Sequence, residues 1–316
     1  MTTQKINLSI MKKILFAVTL LLCIDATATA CDICGCGVGN SYLGILPDFR
    51  KRIFGLRYRY SSLFTHIGAG GATTYLTSKE NYSTIELWGG WNIGKKFRMM
   101  MALPYSFNER INQGATTSKD GIGDINLTGY YQLLNSKKQL DNKLLLQSLW
   151  IGAGIKLPTG QYNPADKSST NENTNLFQLG TASTDFTLNT MYDIRLQDAG
   201  LNISASYKMN TTNKYEYRYG NKFSMNSQAY YKFRIKDKVT IAPNGGVLYE
   251  TAQKDRDNGF SVDISGGNLV MGTAGIELSG KKISVGANVQ TPFSQNLASG
   301  TVKARNRAMV HVSFML

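Results

Sequence analysis

From Arg52 to the C-terminus the chain alternates apolar and polar side chains with period two, in segments of about ten or more residues separated by turn residues. Phe223, Met225, Ala229, Tyr231, Phe233 and Ile235 share one parity; Ser224, Asn226, Gln228, Tyr230, Lys232 and Arg234 share the other. The last segment repeats the pattern, with Val302, Ala304, Ala308, Val310, Val312, Phe314 and Leu316 against Lys303, Arg305, Arg307, His311 and Ser313. In an extended strand, parity is the face of the sheet, so each segment has one greasy and one wet side.

The pattern predicts about twelve strands: 52–62, 82–93, 97–108, 121–133, 143–157, 184–196, 201–211, 223–235, 239–251, 268–278, 283–291 and 302–316. Their connections alternate between short turns (94–96, 135–142, 197–200, 236–238, 279–282) and longer polar loops (63–81, 109–120, 158–183, 212–222, 252–267, 292–301). A soluble β-sandwich also alternates, but its strands are typically five or six residues long. A tilted strand crossing a bilayer needs about nine to eleven. Aromatic residues gather near the segment ends, as at Tyr58, Trp91, Phe97, Tyr105, Tyr131, Phe186, Tyr249 and Phe314, where interfacial girdles belong. Hydrocarbon tolerates no open sheet edge, so the first strand must close on the last. The expected fold is all-β: a transmembrane, antiparallel up-and-down barrel over 52–316, with both termini periplasmic. A mean hydropathy of −0.22 and the lack of long apolar runs after residue 30 exclude a bundle of membrane helices.

The first thirty residues read as a signal peptide. Met11-Lys12-Lys13, an apolar run from Ile14 to Ile24, and Ala28-Thr29-Ala30 follow the order of basic, apolar and small-residue regions. Either Met1 or Met11 serves as the start. Export implies the outer membrane of a Gram-negative bacterium, and losing three lysines and one aspartate lowers the net charge from +14 to +12. This charge is dispersed along an exported chain, which argues against nucleic acid as a partner and for outer-membrane lipid and small solutes.

On the inward parity lie Arg57, Arg59, Glu86, Arg98, Asp124, Lys156, Asp185, Asp193, Arg195, Lys208, Lys232, Arg234, Glu250, Glu277, Lys303, Arg305, Arg307 and His311. Two readings stay open: a mutually paired filling, or a basic seam of Arg57, Arg59, Arg305, Arg307 and His311 where the first and last strands meet, attracting anions or polarised aromatics. Trp88, Met100, Tyr130, Trp150, Met191, Tyr230, Leu248 and Met271 share the inward parity, so the lumen is not that of a simple water-filled porin. They suit a narrow lane for small amphipathic solutes, or a plugged interior.

Three short strings stand at strand ends: Gly121-Ile122-Gly123-Asp124, Lys156-Leu157-Pro158-Thr159-Gly160 and Gly180-Thr181-Ala182-Ser183-Thr184-Asp185. With them the chain, over roughly residues 50–316, resembles the outer-membrane barrel family named for the meta-cleavage pathway of phenol degradation. The resemblance implies passage of small, partly hydrophobic molecules across the outer membrane. Read from the residues alone, the glycines permit turns or bulges and Asp124 and Asp185 cap loops.

Residues 31–51 depart from that pattern. Cys31, Cys34 and Cys36 form a CxxCxC cluster in an oxidising compartment. Three readings stay open: a disulfide from Cys31 to Cys34 or Cys36, a soft metal ion such as Cu(I) or Zn on three thiolates, or a lipid on Cys31. No other cofactor is expected. A non-conducting barrel whose Cys-rich segment binds metal or a periplasmic partner is the competing function. Catalysis is not expected: the chain has two histidines, His66 in a loop and His311 facing inward, and no nucleophile elbow.

Overall fold

The computed structural model describes residues 52–141, 143–166, 175–236 and 238–316. The signal peptide and the cysteine cluster lie outside these residues.

The strands are β1 (Ile53–Thr65), β2 (Ser78–Ile93), β3 (Phe97–Asn112), β4 (Ala115–Ile122 continuing as Ile125–Leu140), β5 (Lys143–Leu157), β6 (Asp185–Leu196) and β7 (Ala199–Met209). They continue as β8 (Lys222–Tyr231 and Phe233–Ile235), β9 (Val239–Ala252), β10 (Gly267–Ser279), β11 (Ile283–Leu297) and β12 (Lys303–Met315). Each pairs antiparallel with its sequence neighbours, and β1 closes on β12 with Ile53 opposite Met315 and Arg57 opposite His311. The result is a closed barrel of twelve antiparallel strands, with both termini on the short-turn, periplasmic rim.

Parity carries through to sidedness. Phe54, Leu56, Ile85, Leu87, Leu188, Val247 and Val310 are exposed on the outer face, while Arg57, Glu86 and Trp88 beside them are buried in the lumen. The exposed apolar band is therefore the surface that lipid covers. Aromatic pairs mark its two edges: Phe54 stacks on Phe314 at 5.1 Å and Tyr231 meets Phe233 at the short-turn rim, while Tyr105 meets Phe107 and Phe223 meets Tyr249 at the long-loop rim.

The structure departs from the expected boundaries where strands leave the membrane. The segment 109–120, expected as a loop, is a hairpin: β3 runs to Asn112, Gln113 and Gly114 make the turn with φ of 50° and 83°, and β4 starts at Ala115. Its residues are exposed or half-exposed on both faces, so the alternation that marks the spanning part fades here. For the same reason β11 runs on to Leu297. Among the loops, Tyr217–Arg218, Arg256–Asp257 and Phe260–Ser261 form a small three-stranded sheet.

Candidate lumen site

The three strings at strand ends meet in one place. Pro104 has no amide hydrogen, and the β3–β4 ladder lapses opposite it at Gly123-Asp124, where only Gly123 N donates to Pro104 O. Asp124, released from the ladder, turns inward and accepts from Gly160 N at 2.9 Å, Thr181 N at 3.0 Å and Thr181 Oγ1 at 3.0 Å. Fully buried Lys156 pairs with Asp124 and, at 3.0 Å, with Asp185. Asp185 also takes Lys208 at 3.3 Å, the Ser183 hydroxyl and Thr211 N. Gly160 and Gly180 pack backbone to backbone; a Cβ on Gly180 would sit 2.6 Å from Asp124 Oδ1. The node clamps both ends of the β5–β6 loop to the barrel wall.

The loop it clamps crosses the lumen. Leu176 and Phe177, which begin on the β5–β6 side, join one buried apolar cluster with Leu63 of β1, Tyr82 of β2, Leu248 of β9, Leu269 and Met271 of β10 and Leu297 of β11. Those partners stand on the opposite wall. The Phe177 ring lies between the Arg110 guanidinium, 4.5 Å away, and the Lys119 ammonium, 5.0 Å away. Asn108 Nδ2 donates to Gln178 O, and Tyr219 Oη to Asn175 O. In the same loop Tyr162 stacks on Tyr215 at 5.2 Å, and burial raises its hydroxyl pKa.

The lumen is layered. Along β1 the inward residues run from Ile53 through Arg57 and Arg59 to Leu63; along β2, from Trp88 through Glu86 to Tyr82; along β12, from Met315 through His311 and Arg307 to Ala304. An apolar floor of Ile53, Trp88, Met100, Tyr130, Trp150, Met191 and Met315 lies toward the short-turn rim. The Leu176–Phe177 cluster lies toward the loops, and charged side chains stand between. A cavity opens in this middle layer, lined by Arg57, Glu86, Trp88, Met100, Tyr130 and Asn189 among others.

The family model described as "Putative MetA-pathway of phenol degradation" matches residues 61–301. The chain belongs to this family. Among solved structures, the COG4313 outer membrane channel from Pseudomonas putida F1 is similar, at 13% identity and a TM-score of 0.60, covering 89% of this chain and 100% of that one. More distant likenesses are the β domain of the Bordetella autotransporter BrkA (11% identity, TM-score 0.47, 83% of this chain and 99% of that one). Another is the transport unit of the Escherichia coli autotransporter AIDA-I (11%, TM-score 0.43, 87% and 94%). No curated protein matches. The shared barrel fold and the outward apolar band place this family member in the outer membrane.

Of the five seam residues expected to form a basic stripe in this family member, four face the lumen, and all four are held by carboxylates at close range. Arg57 and Arg59 flank Glu86 at 3.2 and 3.0 Å, Arg307 Nη1 donates to Glu250 at 2.9 Å, and His311 Nε2 lies 2.9 Å from Glu277 Oε1. That last pair closes over Gly286, where a Cβ would sit 2.3 Å from His311 Nε2. Arg305 is elsewhere. Between Ser61 and Leu63 the β1–β12 register slips, so that Leu63 pairs with Ala304 and Phe64 with Lys303. One slipped position exchanges the faces of a strand; Lys303 and Arg305 are exposed, and Arg305 lies over the Phe64 ring at 5.5 Å. The seam is thus a paired layer in which Arg57 and Arg59 share Glu86, Glu250 holds Arg307 and Glu277 holds His311, and not a free cationic stripe.

The remaining expected residues divide among four places. Trp88, Trp150 and Tyr130 build the floor, and Arg98 lies beside it, buried, donating to Asn92 Oδ1. Tyr230 donates to both oxygens of Asp193, and the Lys232 ammonium lies 5.3 Å over the Tyr230 ring. Arg234 is half exposed at the short-turn rim, paired with Asp198. Lys156 belongs to the clamp. The strand boundaries read from sequence missed buried Glu80, which binds Arg110 at 2.8 Å, because both lie beyond them. Leu176 and Phe177 were also missed; their signal was an apolar pair inside an otherwise polar loop. Among the described residues, no three His, Cys, Asp or Glu side chains group as a metal site.

Proposed function

We propose that this barrel passes small, partly hydrophobic solutes across the outer membrane through its lumen. The observation that carries the reading is a lumen cavity whose lining joins Trp88, Met100 and Tyr130 of the apolar floor to a few polar groups, Arg57, Arg59, Glu86 and Asn189, the mix that small organic molecules bind. The fold shared with the Pseudomonas putida outer membrane channel supports it. Paired carboxylates in the seam favour selection by shape and apolar contact over bulk anion selectivity. The likeness to an outer membrane channel supports a transport role over an enzymatic one. The Cys31–Cys34–Cys36 segment stands as a periplasmic extension that binds metal, forms a disulfide or carries lipid, and can engage a periplasmic partner.

Reconstitution of the mature protein into planar bilayers tests the proposal. Small, discrete conductance steps are expected from the wild type, rising severalfold in Phe177→Ala, which removes the ring that Arg110 and Lys119 hold. A wild type and a Phe177→Ala variant that are both silent, although correctly folded, would overturn it in favour of the non-conducting barrel.

A further inference from the structure

The cavity in the middle layer is chemically one-sided. Glu86 accepts from Arg57 and Arg59 through their terminal nitrogens, yet among the described residues no atom accepts from Arg57 Nε, Arg59 Nε or the Trp88 indole N–H. Two guanidinium groups share one carboxylate, so this wall carries one surplus positive charge. The Arg57 guanidinium also lies 5.2 Å over the Trp88 ring, which fixes its plane. Below it, Met100 and Tyr130 offer apolar surface from the floor cluster. Across from it, Asn126 and Asn189 each donate one amide hydrogen, to Asp124 O and Thr187 Oγ1, and their side-chain carbonyl oxygens are acceptors.

We propose that this cavity is a binding subsite for small aromatic monoanions. The anionic oxygens sit against Arg57, Arg59 and Trp88, the ring rests on Met100 and Tyr130, and a ring hydroxyl, where present, meets the Asn126 and Asn189 carbonyls. Buried donors without acceptors are costly, and an anion supplies what the protein lacks: acceptors for the donors and one negative charge for the surplus. Charge-assisted bonds of this kind are about twice as strong as neutral ones. The rest of the seam is paired, Arg307 with Glu250 and His311 with Glu277, so the preference is local to the cavity and differs from anion selectivity of the pore. The inference deepens the channel reading by naming the class of solute at its narrowest chemistry, and rests on that reading for its physiological meaning.

The test is equilibrium binding of benzoate, benzyl alcohol and benzylamine to the detergent-solubilised full-length mature protein, followed by calorimetry. Benzoate should bind about tenfold or more tightly than benzyl alcohol, the factor expected of a charge-assisted bond pair, and benzylamine should be the weakest. In Arg59→Gln, chosen because Arg59 is the more exposed of the two arginines, the preference for benzoate over benzyl alcohol should disappear. Trp88→Phe, which keeps an aromatic ring but no N–H, should reduce it. Equal binding of the three probes, or a benzoate preference untouched in both folded variants, would overturn the subsite. Conductance without benzoate binding would discard the subsite and leave the channel standing; benzoate binding without conductance would do the reverse.

Discussion

At the scale of single residues, the lumen is governed by the cost of leaving charge buried and alone. Lys156 has no exposed surface and serves two carboxylates. Replacing it by Met keeps the volume but leaves buried Asp124 without a cation and Asp185 with Lys208 alone, and should cost about 3–5 kcal/mol, read as a lowered denaturant midpoint for unfolding from lipid vesicles. The two arginines on either side of the β12 bulge give a sharper contrast. Arg307→Gln strands buried Glu250 and should destabilise the barrel by a comparable amount. Arg305→Gln touches only an exposed stacking contact on Phe64 and should change neither stability nor conductance by a measurable margin. Equal effects from the two would mean that the register slip is wrong. That slip is also why Arg305 could not be placed from sequence: a bulge moves one residue without disturbing the composition around it, whereas Arg57 and His311 lie where unbroken alternation puts them.

At the scale of elements, strands were legible and the loop was not. The fifth strand matches its expected bounds, Lys143–Leu157, with buried Trp150 and Lys156 on its inward parity and exposed Ile151 on the other. The β3–β4 hairpin extends beyond the membrane, where both faces are wet, and there the period-two signal fades although pairing continues. The β5–β6 loop crosses to the far wall through contacts distant in sequence, and a single chain gives no pattern for these. Its anchoring is nonetheless encoded in the three strings at strand ends, which read locally as turn and capping residues and meet at Asp124. The clamp predicts a separation of effects. Asp124→Asn weakens the acceptors for Gly160 N, Thr181 N and Lys156 and should loosen the loop, so protease cleavage within 158–184 should quicken while the strands stay protected. Uniform loss of protection over the whole barrel would show instead that the node holds the wall and not the loop.

At the scale of the whole molecule, one alternation sets two solvents. The outward parity supplies an apolar band with aromatic edges, and the inward parity supplies a floor, a charged layer and, together with the clamped loop, a cover. Closure of β1 on β12 lets a protein with +14 formal charge over its full sequence sit in hydrocarbon, because most of its spanning charges face inward and find partners there. Family membership and fold agree with this arrangement. The most direct measurement places single cysteines, with the native ones replaced by Ser, at Leu56 and Leu87 on the outer face and at Asn226 and Asn288 in the lumen, each labelled with an environment-sensitive fluorophore in reconstituted vesicles. Brominated lipid should quench the first pair and spare the second, while a small aqueous quencher should do the opposite. Aqueous quenching at Leu56 and Leu87, with lipid quenching nowhere, would contradict the account.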